Sequence, residues 1–102
     1  MASHSLLVIK FGGSVLADRS AVPTVVREVS RYLGTHDRIV AVVSAFRNQT
    51  NILEHTALSL CHDPAPETLA FYMGLGEMHA AGELALALQG AGIPATLRMP
   101  WD

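Results

Sequence analysis

The sequence predicts an α/β fold built on a mainly parallel sheet, and three observations lead there. Two short apolar runs, Leu6-Leu7-Val8-Ile9 and Ile39-Val40-Ala41-Val42-Val43, lack polar alternation and are too short for helices, so they read as buried strands. Between them valines recur at helical spacing. Strand, helix and strand in that order make a βαβ unit, whose crossover is right-handed and whose strands are parallel.

The first run ends in Lys10-Phe11-Gly12-Gly13-Ser14. Open α/β sheets place ligands at the C-terminal ends of their strands, where this lysine sits. Gly12 and Gly13 carry no Cβ, so their N–H groups can approach an anion closely or the backbone can turn through positive φ. The combination suggests a phosphate cradle, though its order differs from a P-loop, whose lysine follows the glycines. Asp18-Arg19-Ser20 is a polar turn. Val22, Val25, Val26, Val29 and Leu33 then form the inward stripe of a helix, with Arg27, Glu28 and Arg31 on its wet side. Pro23 falls in the first turn, where a missing N–H costs nothing, and Gly34 suits the position just past the end.

Arg38 leads into the second strand, which breaks at Ser44. Parallel pairing brings Ser44 to the sheet edge that carries Lys10. A polar loop follows, Phe46-Arg47-Asn48-Gln49, and a helix is then expected over about 51–60, with Ile52, Leu53, Ala57 and Leu60 inward and Asn51 with Glu54 as a capping box. Pro64 and Pro66 interrupt the chain. A short helix over 67–73, a flexible joint at Gly74-Leu75-Gly76 and a longer helix over 77–89 follow, the last with Met78, Ala81, Ala85 and Leu88 on one side. Gly90 and Gly92 end it. Ala95-Thr96-Leu97-Arg98-Met99 reads as a third strand cut short by Pro100.

At 102 residues the sequence supports one small domain, 1–102. Half of it is apolar and 16% is charged, a globular composition. A formal charge of −2 argues against nucleic acid or an anionic membrane held by bulk electrostatics. The single cysteine, Cys61, forms no internal disulfide and fits a reducing compartment. Met1-Ala2-Ser3-His4 has no basic leader and the following apolar run is short, so no secretory signal or membrane span is expected and the cytoplasm is the expected location. The five histidines, His4, His36, His55, His62 and His79, show no metal-ligand spacing. Cys61 has no basic neighbour other than His62 to activate it as a nucleophile. Met73, Met78 and Met99 read as core filler. Trp101 beside the C-terminus suggests a partner contact or a missing continuation.

Three segments, Lys10-Phe11-Gly12-Gly13-Ser14, then Val42-Val43-Ser44-Ala45 with Thr50-Asn51-Ile52-Leu53, then Gly76-Glu77 opening a helix that runs to Gly90-Ala91-Gly92, resemble in order and spacing the amino-acid-kinase superfamily, aspartokinases above all. The resemblance spans nearly the whole sequence. It implies an α/β/α three-layer sandwich, of which these residues form an incomplete, N-terminal half. It also implies ATP with Mg²⁺ as cofactor, a small amino-acid substrate, and phosphorylation of the side-chain carboxylate of aspartate. By the same resemblance Lys10 is the catalytic lysine on the transferring phosphoryl group, and Gly12, Gly13 and Ser14 form the loop beside the ATP phosphates. Ser44 and Thr50 then line the amino-acid pocket, and Glu77 pairs with the substrate ammonium. No metal ligand is implied within these residues.

The departures from the family pattern set further expectations. Family members are longer, and their second half supplies most of the nucleotide pocket. Met78 stands where the family has a basic or polar residue after Gly-Glu. Lys10 is the only lysine in the sequence, so a second phosphate-binding lysine has to come from elsewhere. Relatives with the same loop phosphorylate glutamate, isopentenyl phosphate or other acceptors. Weak or absent activity alone is therefore expected, together with a homo-oligomer or a complementing chain, and a non-catalytic binding module is the alternative. Each residue also has a purely structural reading. Lys10 can simply reach water from a strand end, and Gly12-Gly13 can form only a tight turn. Ser14, Ser44 and Thr50 can cap or turn the backbone, while Glu77 can answer a helix dipole.

Overall fold

The computed structural model describes residues 5–99, Trp101 and Asp102. The readings that fall on residues 1–4 and on Pro100 lie outside the described residues. Strand β1 (Leu6–Phe11) leads through a single 3₁₀ turn (Arg19–Ala21) to helix α1 (Val22–Leu33), strand β2 (Arg38–Val43), helix α2 (Arg47–Leu60) and helix α3 (Pro66–Gly90). β1 and β2 pair in parallel with α1 as crossover, in a register running from Leu6 opposite Arg38 to Phe11 opposite Val43. The α/β class and the βαβ unit follow from the sequence pattern as expected.

Side chains alternate across a strand, so the register sorts the sheet into two faces. Phe11, Ile9, Ile39, Ala41 and Val43 point into the packed side. There they meet Val22, Val25 and Val29 of α1 and Ala80, Leu84 and Leu88 of α3, with Leu16 and Phe46 closing the end. The opposite face carries Leu6, Val8, Val40 and Val42, which are 46–61% exposed. Among the described residues only one face of the sheet has its helical layer, which is the incomplete sandwich the resemblance implied.

Four elements differ from the sequence reading. Helix α2 starts at Arg47 rather than near Asn51, so Asn51 and Glu54 lie inside the helix and form no capping box. The residue at its N-terminus is Phe46, buried in the core, and burial of that ring fixes where the helix begins. Leu53 is buried as expected, but Ile52 and Leu60 are exposed, because α2 packs chiefly on α3. Residues 66–90 form one unbroken helix with no joint at Gly74–Gly76. Pro66 is tolerated in its first turn, and the buried stripe is Gly76, Ala80, Leu84 and Leu88. Met78, Ala81 and Ala85 are only half-buried.

The other two differences lie at chain ends of elements. Gly34 ends α1 with right-handed φ of −69°, so it supplies no left-handed cap. Gly92, with φ of +80°, does so after α3, where Ile93 N–H donates to Leu88 C=O at 2.9 Å. Residues 95–99 form no strand. Ala95 C=O instead accepts from the Gln89 side-chain amide at 3.0 Å. Among the described residues no helix is long and apolar enough to cross a membrane.

Candidate phosphate and substrate site

The site is built at the C-terminal edge of the two strands. Directly after β1, Gly12 C=O accepts from Val15 N–H at 3.0 Å and from Leu16 N–H at 2.9 Å, closing a tight turn. The N–H groups of Gly12, Gly13 and Ser14 bond to no acceptor among the described residues. Neither glycine has positive φ, and a Cβ built on either meets nothing within 4 Å. The turn itself therefore requires glycine at neither position. What glycine leaves at this edge is open space beside three uncommitted donors.

Parallel pairing continues one residue past β2, where Ser44 N–H donates to Phe11 C=O at 3.1 Å. The half-buried Ser44 hydroxyl donates to Ala45 C=O at 3.1 Å, and the half-buried Thr50 hydroxyl to Phe46 C=O at 3.2 Å. Both hydroxyls keep their lone pairs available as acceptors. Gly76 brings α3 onto this loop. A Cβ there would stand 3.0 Å from Leu53 Cδ1 and 3.2 Å from Ala45 Cβ, so any larger residue would have to push the loop or the helix aside. Glu77 follows it and is exposed. Ser14 is exposed and caps no helix; the cap of the 3₁₀ turn is Asp18, whose Oδ1 accepts from Ser20 N–H at 2.8 Å and from the Ser20 hydroxyl. These two bonds, the hydroxyl's first, hold the Asp18 carboxyl below its ordinary range.

Register brings Gly12–Ser14 and Ser44 to one edge, and Gly76 packs α3 against Ala45 in the loop that follows Ser44. Lys10, two residues before Gly12, is placed by strand alternation with Val8 and Val42 on the uncovered face. Neither Lys10 nor Glu77 has an ion-pair partner among the described residues. A hollow of about 440 Å³ lies nearby, lined by Asp18, Arg19, Asn48, Gln49, His79 and Glu83, and none of the seven residues singled out from the sequence lines it. In it Glu83 pairs with Arg19 and lies 3.3 Å from His79 Nε2. The described residues contain no group of three metal-binding side chains.

Arg47 is the residue that sequence reasoning passed over as part of a polar loop. Its guanidinium Nη2 donates to Gly13 C=O at 2.8 Å. Its own N–H reaches Leu16 C=O at 2.9 Å, and Asn48 N–H reaches Ala17 C=O at 3.1 Å. The signal was available: a basic residue three positions after Ser44 is carried by the parallel register to the edge that bears the glycines.

Comparison with known proteins bears on the same segments. The sequence model of the amino acid kinase family matches residues 5–97. Aspartate kinase Ask_LysC of Stutzerimonas stutzeri is 34% identical over 91 residues, covering 89% of this chain and 22% of that protein. The aspartokinase of Pseudomonas aeruginosa is 32% identical over 91 residues, with the same coverage. The crystal structure of aspartate kinase from Synechocystis superposes with a TM-score of 0.76 at 27% identity, over 85% of this chain and 15% of that one. The chain spans about a fifth of the length of the curated relatives it matches.

Proposed function

The chain belongs to the amino acid kinase family, and from that premise we propose that residues 1–102 form one unit that positions phosphate and amino acid in an aspartokinase-type phosphotransferase. The proposed reaction transfers a phosphoryl group to the side-chain carboxylate of aspartate, giving an acyl phosphate. ATP with Mg²⁺ would supply that group and neutralise part of its charge. Phosphoryl transfer asks little covalent chemistry of a protein; it asks that two anions be held together and their charge offset. The N–H groups of Gly12, Gly13 and Ser14 would hold phosphate oxygens, with Lys10 supplying a positive charge. Ser44 and Thr50 would accept from or donate to the amino acid, and Glu77 would take its ammonium. A carboxylate there attracts the amine and repels the carboxylates, which fixes the direction in which the substrate enters.

The observation that carries this reading is the run of three uncommitted N–H groups at Gly12, Gly13 and Ser14, where the turn itself does not require the two glycines. Titration of the isotope-labelled chain with MgATP, aspartate and glutamate tests it. Nucleotide should shift the amides of Gly12 to Ser14, and aspartate those around Ser44, Thr50 and Glu77. Glu77→Gln should weaken aspartate binding by roughly 10- to 100-fold, the worth of a charge-assisted hydrogen bond. Equal indifference to aspartate and glutamate would move the acceptor to another member of the family's range. In a hydroxamate assay the chain alone should turn over little, because the rest of the fold is proposed to come from a complementing polypeptide or a second copy that covers the open face of the sheet. The proposed location is the cytoplasm, where ATP and free amino acids coexist.

A further inference from the structure

We propose that Arg47 is the second cation of the phosphate loop, a binding residue that clamps Gly13 and presents its remaining donors to a neighbouring phosphoryl group of the same polyphosphate. The inference rests on the phosphate reading above and extends it to a residue outside the family resemblance. A guanidinium has five N–H donors in a planar fork. Here one hydrogen bond is made, from Nη2 to Gly13 C=O at 2.8 Å, and the side chain is otherwise exposed. No carboxylate pairs with it among the described residues. The carbonyl it holds belongs to the peptide between Gly13 and Ser14, whose N–H is one of the three without an acceptor. Holding that oxygen on the α2 side turns the partner N–H of the same planar peptide the opposite way. The backbone bonds from Arg47 to Leu16 and from Asn48 to Ala17 fix the base of the same loop.

This arrangement answers a shortage visible in the sequence. Lys10 is the only lysine, and a polyphosphate carries several negative charges. An arginine suits the second position because its fork meets two phosphate oxygens at once. The glycine loop and α2 are far apart in sequence but bonded directly, so the cation and the donors move as one body.

The test uses the full chain and inorganic tripolyphosphate, followed by amide shifts at Gly12 to Ser14. Wild type should bind. Arg47→Ala should bind about 10- to 100-fold more weakly. Arg47→Lys, which restores a point charge without the fork, should recover part of the loss, and Arg47→Gln, which keeps a donor without charge, should not. Arg27→Ala on the outer face of α1 removes an equal charge and should leave binding unchanged. Thermal melting of each variant separates affinity from folding. Wild-type affinity in Arg47→Ala or Arg47→Gln overturns the inference while leaving the phosphate reading intact. Equal losses in the Lys and Gln variants that track lowered melting temperature make Arg47 a purely structural clamp, and also overturn it. Failure of wild type to bind tripolyphosphate removes the phosphate reading itself.

Discussion

Glycine-to-alanine substitutions along α3 should have opposite signs, and Gly76 decides the matter. Replacing a mid-helix glycine by alanine normally stabilises by about 1 kcal/mol, because alanine loses less backbone entropy. Gly74 and Gly82 meet that condition: a Cβ at either touches nothing within 4 Å. At Gly76 the same Cβ would lie 3.0 Å from Leu53 Cδ1 and 3.2 Å from Ala45 Cβ. Leu53 can swing its terminal methyl, but Ala45 has no rotamer to change, so α3 or the Ser44–Ala45 loop must move by a few tenths of an ångström. Overpacking of this kind costs about 2 kcal/mol. Set against the propensity gain, Gly76→Ala should lose about 1 kcal/mol net, and Gly74→Ala should differ from it by about 2 kcal/mol in the other direction. Gly76→Val, with two more carbons and a weaker helix propensity, should lose about 3 kcal/mol. Urea denaturation followed by far-ultraviolet circular dichroism measures all of these. A Gly76→Ala chain as stabilised as Gly74→Ala would refute the close approach of α3 to the Ser44–Ala45 loop.

Two other outcomes follow from the loop. Gly13→Ala should leave stability unchanged or raise it by about 0.5 kcal/mol, since φ there is negative and the space is open, yet weaken phosphate binding measured by amide shifts. A loss of stability would show that the turn needs glycine for its own sake. The Asp18 carboxyl is held below its ordinary value of 3.8 by Ser20, so its contribution is present above that value and disappears as pH falls through the lower, folded one. A carboxyl-carbon titration should place its midpoint below 3.8 in wild type, and Ser20→Ala should return it upward.

The sequence was most legible where periodicity and burial agree. The valine stripe of α1 is a local pattern facing a single packed layer, so Val22, Val25 and Val29 are buried where spacing puts them. The two apolar runs form strands as read, but among the described residues they are covered on one face only, with Leu6, Val8, Val40 and Val42 exposed on the other. Legibility failed where a residue's role depends on a neighbour remote in sequence. Gly74 and Gly76 look like a hinge to local rules, yet Gly76 is there because Ala45 lies against it. Phe46 looks like a loop residue, yet core burial makes it the start of α2. Arg47 carries no local signal of its bond to Gly13, 34 positions away. The seven candidate site residues divide in the same way. Those on backbone termini, Gly12 to Ser14 and Ser44, were brought together by register alone, whereas the direction of Lys10 follows from which face of the sheet is covered.

That face also explains the third strand that did not form. Residues 93–98 border a hollow of about 590 Å³ that Ile39 and Ala41 of β2 also line, and they pair with neither strand. Ordering the five residues 95–99 into a strand costs about 5–10 kcal/mol in backbone entropy. Net hydrogen bonding offsets only part of this, at about 1 kcal/mol per bond. Parallel strands therefore depend on apolar cover on both faces. Here α1 and α3 cover one face, while Leu6, Val8, Val40 and Val42 remain about half exposed on the other. Covering those four would return roughly 1 kcal/mol each and would let a third strand bury its own outer side chains in the same step. The open face and the unformed strand are thus one deficit. A polypeptide that packs on the face stabilises the strand, and a strand added at the edge enlarges the face it packs on, so the two events are cooperative.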